Sequence, residues 1–279
     1  MDDLSLAQGA KSTLVSAADD VGGKVAALYG GIVGDAVSPE SVGEFVRAAL
    51  PILRRGVTTG GSLANAYHRR ARRAAGITST APRLSPQTFN AEQAESSLRF
   101  LGLVQPAKAQ GVVVDVPFTL DDPEKVKDKI EAAASRRVVQ SSMDAAVAAA
   151  RADRQAIGWA RVTRGADACY FCSMLESRGV VYSMDSFAAS DPRFKENRMP
   201  PEILSGELAA KAHDHCRCVL VPVFSRSSSV QQNADKLYDV WKKVQAQYGW
   251  LARRRGLSMI DIWRLYWEGR IESMAAKYV

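Results

Sequence analysis

Histidine and cysteine are scarce in this chain: its 279 residues include three of the first and four of the second. So few cysteines in so long a chain exclude the disulfide lattice of small exported domains, and a reducing compartment would keep them as thiols or metal ligands. Long apolar runs are missing as well. The nearest, GVVVDVPF and CVLVPVF, fall well short of the roughly 18–20 residues that a membrane helix needs. The opening residues, MDDLSLAQGAK, are acidic where an export signal would be basic, and they lack the apolar stretch of such signals. Together these absences lead us to expect a soluble, intracellular protein with no membrane segment. Basic stretches interleaved with aromatics, and the known signatures of folds that read nucleic-acid bases, are also wanting.

What is present is a globular composition, 47% hydrophobic and 24% charged, long enough for one large domain or two modest ones. The net charge of +7 is unevenly placed. YHRRARRAAG carries Arg69, Arg70, Arg72 and Arg73, and WLARRRG carries Arg253, Arg254 and Arg255. Both are candidate nucleic-acid-binding patches, for which solvated helix faces are the plainer use.

Periodicity indicates a mainly α protein. From Ser38 to about Gly76, a Ser-Pro helix start is followed by Val42, Phe45, Val46 and Leu50 at helical spacing, with helices expected to break near Pro51 and at TTGG. TSTAPRLSPQ is a connection, and a short helix should follow it. The firmest helix opens at Asp122 and Pro123 and meets neither Gly nor Pro until Gly158. Its alanine-rich face, with Val126, Ile130 and Val138, suits close helix packing. After Gly158 the texture becomes irregular, with a short strand in ARVTRGADA and then Gly, Pro, Ser, His and Cys in quantity. Helical pattern returns from about Val230, where Leu237, Val240, Trp241 and Val244 share a face, and again from Ser258 with Ile262, Trp263, Leu265, Tyr266 and Trp267. Such an aromatic stripe is usually core, a docking surface being the alternative. The expected organisation is a helical domain over 1–157, a Cys/His zinc-binding module over 158–225 and a C-terminal helical segment over 226–279. The fold class is thus mainly α, with helical N-terminal and C-terminal parts around a small irregular α+β zinc-binding module.

All four cysteines fall in two clusters. Cys169 and Cys172 have the C-x2-C spacing that lets a tight turn aim two thiolates at one cation, and HDHCRC supplies His213, His215, Cys216 and Cys218. If the second cluster is extended, Cys216 and Cys218 face one way while His213 and His215 face the other. We favour four cysteines holding one structural zinc, because thiolates are soft ligands and the set uses every cysteine; either histidine remains a possible alternate ligand. Chance clustering of buried thiols, two disulfides, or a redox C-x2-C are the competing explanations. Four protein ligands leave no position for a catalytic water. Glu176, His213 and Asp214 are nevertheless the acid–base groups that a zinc-supported nuclease would draw on.

The segment RVTRGADACYFCSMLESRGVVY, followed after a gap by HDHCRCVLVPVF, resembles the signature region of phage minor head proteins, the Mu F-like or head-morphogenesis family, in the form found in tailed phages of actinobacteria. The resemblance is specific over about residues 158–224 and is one of layout elsewhere. It implies a virion protein made in the host cytoplasm and placed inside the capsid in few copies, near the portal and the packaged double-stranded DNA, with portal or major capsid protein as partners. Many relatives carry His-Pro-x-Cys-x-Cys where this chain has His213-Asp214-His215-Cys216-Arg217-Cys218, so which histidine, if either, binds metal stays open. Some relatives are labelled capsid maturation proteases, but a protease needs a converging nucleophile, base and orienting group. The remaining histidine, His68, lies in the arginine run and reads as a surface residue. A structural head component is therefore favoured over a capsid maturation protease, a zinc-supported nuclease or a non-specific DNA-binding protein.

Overall fold

The structure, a computed structural model, describes residues 2–82, 84, 87–163, 169–180 and 217–276. Three long helices organise it: α1 (Asp3–Ile32), α2 (Pro39–Ala74) and α5 (Pro123–Ala152), each packed against the other two. Helix α2 starts where Ser38 and Ser41 cap each other reciprocally, side chain to backbone amide, at 3.1 Å in both directions, with Pro39 in the first turn. Contrary to the expected breaks, α2 runs unbroken through Pro51 and the TTGG stretch. Pro51 sits on the exposed side, where the ring meets solvent and costs the helix one backbone hydrogen bond. The glycines answer to packing rather than to a turn. A Cβ at Gly60 would collide with the carbonyl oxygen of Val138 on α5, so the absence of a side chain lets the two backbones approach.

Helix α5 follows the sequence expectation closely. Asp122 caps it by accepting from the Lys125 amide at 3.0 Å, and its buried side chains are mostly small: Ala132, Ala133, Ala134, Ala145, Ala146, Ala149 and Ala150. Two of its serines donate to neighbouring backbones. The Ser141 hydroxyl donates to the Val57 carbonyl of α2 at 2.6 Å, and that of Ser135 to Ala18 of α1 at 3.0 Å. Between α2 and α5 lie α3 (Ala91–Arg99), a π-helical turn (Phe100–Val104) and α4 (Gln105–Gln110). The buried Tyr29 of α1 donates to the Gly102 carbonyl in that turn at 2.9 Å. A two-residue pairing joins β1 (Ala36–Val37) to β2 (Phe118–Thr119).

The expected strand after α5 is β3 (Gly158–Val162), paired antiparallel with β4 (Val219–Val223) in the register Gly158 to Val223 and Val162 to Val219. Both strands are buried along their whole length, because the ribbon has α1 and α5 packed against it as well as α6 (Tyr170–Glu176) and α7 (Ser229–Arg255). The C-terminal part adds α8 (Met259–Trp267) and a short α9 (Ile271–Ala275), one helix more than expected. Buried residues from the long helices, the ribbon and the C-terminal helices form one continuous core. Among the described residues no helix is long and apolar enough to cross a membrane.

Candidate metal centre

Cysteine positions follow from the ends of these elements. Cys169 is the N-cap of α6, where its sulfur accepts the Cys172 amide at 3.3 Å, and Cys172 lies buried in the first turn. Cys218 immediately precedes β4 and is also buried, while its neighbour Arg217 is exposed and pairs with Asp19 of α1 at 3.5 Å. The outcome is a meeting of the two clusters: Cys172 Sγ and Cys218 Sγ lie 3.6 Å apart. That is too far for a disulfide, whose sulfurs sit about 2.05 Å apart. Thiolates arranged tetrahedrally at about 2.3 Å from zinc would stand about 3.8 Å from one another, so these two sulfurs fit a shared metal. An N–H bond to a cysteine sulfur, as Cys169 receives here, also suits a thiolate ligand. Cys216, His213, His215 and Asp214 lie outside the described residues. Among the described residues, no group of three or more His, Cys, Asp or Glu side chains is placed to hold a metal ion.

One participant was missed from sequence. Arg161 on β3 is buried, and its Nη1 donates to Cys218 Sγ and stands 3.8 Å from Cys172 Sγ. The signal was available, since a charged residue interrupts the apolar strand GWARV, but period-2 reading assigns such a residue to solvent. Helix α6 is steadied from the other side by α8. The indole of Trp263 donates to the Tyr170 carbonyl at 2.9 Å and to the Ser173 hydroxyl at 3.1 Å.

Glu176, considered above as an acid–base group, is fully engaged in holding elements together. Its carboxylate accepts from the amide and hydroxyl of Thr163 and from the Asn233 side chain at 2.8 Å, tying β3 to α6 and α7. Burial raises its pKa, against the opposing pull of those hydrogen bonds and of the Lys11 charge. The aromatic stripe divides: Trp241 and Trp263 are core, 5.2 Å apart at their ring centres, whereas Tyr266 and Trp267 are partly exposed.

Two expectations about the arginine run are corrected. His68 is buried, not on the surface: its Nε2 lies 2.9 Å from Asp153, and the ring packs edge-on against Phe224. Arg72 is buried too, pairing with Asp153 and donating to the Ser79 carbonyl at 2.6 Å. Asp153, just past the end of α5, pairs with the Arg72 guanidinium and accepts from His68, and this buried ion pair removes Arg72 from any external patch. Arg69, Arg70 and Arg73 remain exposed, as do Arg253, Arg254 and Arg255. Arg73 and the second cluster occupy the last turns of α2 and α7, where positive charge complements the helix dipole.

No curated protein and no solved structure matches this chain. The family described as VG15 protein matches residues 5–244, a span that runs from α1 into α7 and takes in both cysteine clusters. That family suggests a phage-encoded protein. With most of its length covered by the match, the chain belongs to the VG15 family.

Proposed function

We propose that this protein is a structural, non-enzymatic minor component of a phage head, acting in head assembly inside the capsid near the portal and the packaged double-stranded DNA. The observation that carries the reading is the coincidence of the VG15 match with a helical core into which the cysteine ribbon is built. The described parts of the segment that resembles head-morphogenesis proteins, β3, α6 and β4, contribute to that core, and Cys172 and Cys218 lie 3.6 Å apart. One structural zinc, held by Cys169, Cys172, Cys216 and Cys218 with His213 or His215 as alternates, would staple α6 to the start of β4. Zinc supplies folding energy at such a site, and four protein ligands leave no open position for water. The chain's own residues do the rest: Glu176 latches β3 to α6 and α7, and Trp263 holds α6 against α8. The exposed arginines Arg69, Arg70, Arg73, Arg253, Arg254 and Arg255 give weak, sequence-independent contacts to DNA phosphates.

The test is to assemble heads with and without the protein, locate it by cryo-electron microscopy and follow capsid-protein processing. A few copies at the portal vertex, and defective heads in its absence, are the expected result. Normal heads that never contain the protein would refute the proposal, and loss of processing in a folded Glu176→Gln variant would favour a protease instead.

A further inference from the structure

We infer that this chain associates head to tail with copies of itself, the acidic, valine-rich loop before β2 of one copy seating on the arginine-bearing end of α2 and α5 of the next. The loop spans residues 111–117. Among the described residues its Val113 and Val116 are the most exposed large apolar side chains, at 65% and 57%, and Val112 is exposed beside them. Val114, by contrast, packs against the core. From 111 to 124 the chain has four acidic and no basic residues, although its net charge is +7. The pairing of β1 with β2 adds Asp35, whose carbonyl accepts the Leu120 amide at 2.8 Å, and the first turn of α2 adds Glu40. The adjoining turns bring Lys108, Lys125 and Lys127, of which the last already pairs with Glu124 at 2.5 Å, so this end is acidic on balance. Helix dipoles account for acid at the starts of α2 and α5, but not for Asp115 or the bare valines around it.

The far end of the same helices has the opposite character. His68 and Arg72 of α2 meet Asp153 just past α5, so the last turns of the two helices lie side by side, and Arg69, Arg70, Arg73, Arg151 and Arg154 are exposed around them. Asp153 is buried among its own partners. Asp2 and Asp3 reach this end, in the cavity they line with Ala74 and Ala75, but leave it basic. Ile157 is exposed there as well, an apolar counterpart for the valines. Helix α2 has 36 residues, which puts its two ends about 54 Å apart at 1.5 Å per residue, and one chain cannot bring them together. A second copy can, because it offers a basic surface with an apolar contact to an acidic surface with another. Such a contact joins two different surfaces, so it propagates into a ring or a filament rather than stopping at a symmetric dimer. Arg69, Arg70 and Arg73 then serve either a neighbouring copy or DNA, not both.

Sedimentation velocity of the purified full chain, free of DNA, tests this. Association should rise with protein concentration and weaken between about 0.1 M and about 1 M salt, as the screening length falls from about 10 Å to about 3 Å. Two double variants, Asp115→Lys with Asp121→Lys and Arg69→Glu with Arg73→Glu, should each self-associate at least about 10-fold more weakly. An equimolar mixture of the two should restore association, since the intact basic end of the first meets the intact acidic end of the second. Val113→Asp should weaken the contact too. A chain that stays monomeric at every concentration and salt overturns the inference, as does an association that survives both double substitutions. So does a mixture that stays dissociated while circular dichroism shows both variants folded. Should a double variant fail to fold, Val113→Asp and the salt dependence of the wild type decide. None of these outcomes bears on the family assignment or on the zinc reading, which rest on other residues.

Discussion

His68 on α2 and Asp153 at the end of α5 are joined through Nε2 at 2.9 Å, in a buried site that Arg72 completes. Burial lowers the pKa of His68, and the charges of Arg72 and Arg69 add to that effect while Asp153 opposes it. For Asp153, burial pushes upward but is outweighed by hydrogen bonds from Arg72, the Gln155 amide and His68, which hold the carboxyl below its usual range. The imidazole is therefore neutral and donates through Nε2–H.

Stability should consequently depend on pH in a defined direction. In the unfolded chain His68 takes a proton near a pH of about 6.5, and in the folded protein only at lower pH. Between the two values the unfolded state binds more protons, so stability is complete above about 6.5 and falls as pH drops toward the folded value. Asp153 acts in the same sense further into acid, because its folded pKa is also depressed. Urea denaturation across this window should show the loss, and His68→Asn should flatten the part nearest neutrality. Equal slopes in the two proteins would exclude His68 as the cause.

Helix α2 offers a contrast between two residues that both look like breakers. Gly60 is required by contact with α5, so Gly60→Val should cost about 1–3 kcal/mol through overpacking. Pro51 is exposed, and Pro51→Ala should stabilise the helix by up to about 3 kcal/mol, the interior penalty of proline relative to alanine. Chemical denaturation of the two variants checks both, and a destabilised Pro51→Ala would show that the ring has a packing role.

The difference between these residues also shows what was legible in the sequence. Helix α5 announces itself through Asp122, Pro123 and a long stretch without Gly or Pro, and its boundaries come out close to expectation. Helix α1 does not, because Gly9, Gly22, Gly23, Gly30 and Gly31 dilute its pattern, although at Gly22 a Cβ would collide with the Ser135 hydroxyl. The approach of Cys172 to Cys218 accords with the clamp expected from two cysteine pairs, whereas the pairing of β3 with β4 was not legible, because both strands are buried at every position and show no alternation. Arg161, Arg72 and His68 were misjudged or missed because composition marks them as surface residues, and only the positions of Asp153 and of the sulfurs explain their burial.

Metal content is the direct check on the cysteine centre. Purified protein should carry about one zinc per chain. Cys172→Ser or Cys218→Ser should lose it and loosen α6 and the ribbon, while the helical signal of α1, α2 and α5 persists in circular dichroism. Zinc-free protein with two disulfides would end the zinc proposal.

Among the aromatics, burial predicts unequal effects. Trp263→Ala should destabilise by about 3–5 kcal/mol, since it removes a core ring and the hydrogen bonds to Tyr170 and Ser173. The docking alternative survives only at the exposed edge, where Trp267→Glu should leave the fold intact. Loss of co-purification with portal protein in that variant would assign Trp267 to an interface, and unchanged co-purification would remove it from consideration.

For DNA, affinity should fall with salt at a log–log slope of roughly −0.9 per phosphate neutralised. Replacing Arg253, Arg254 and Arg255 together should flatten that slope without altering zinc content. A wild-type protein that ignores DNA at low salt would reduce both arginine clusters to helix-end charges.

The pairing of β3 with β4 governs the order in which the molecule can be made. Arg161 and Cys218 are 57 residues apart in the chain, so β3 leaves the ribosome well before its partner strand exists. During that interval an apolar strand with unpaired amides is open to wrong neighbours, including the same strand of another nascent chain. Contacts of such long separation are slow to close. The three long helices can assemble early around part of this gap, and the ribbon must be inserted late, which makes the yield of correctly folded protein sensitive to synthesis rate and to crowding by its own copies.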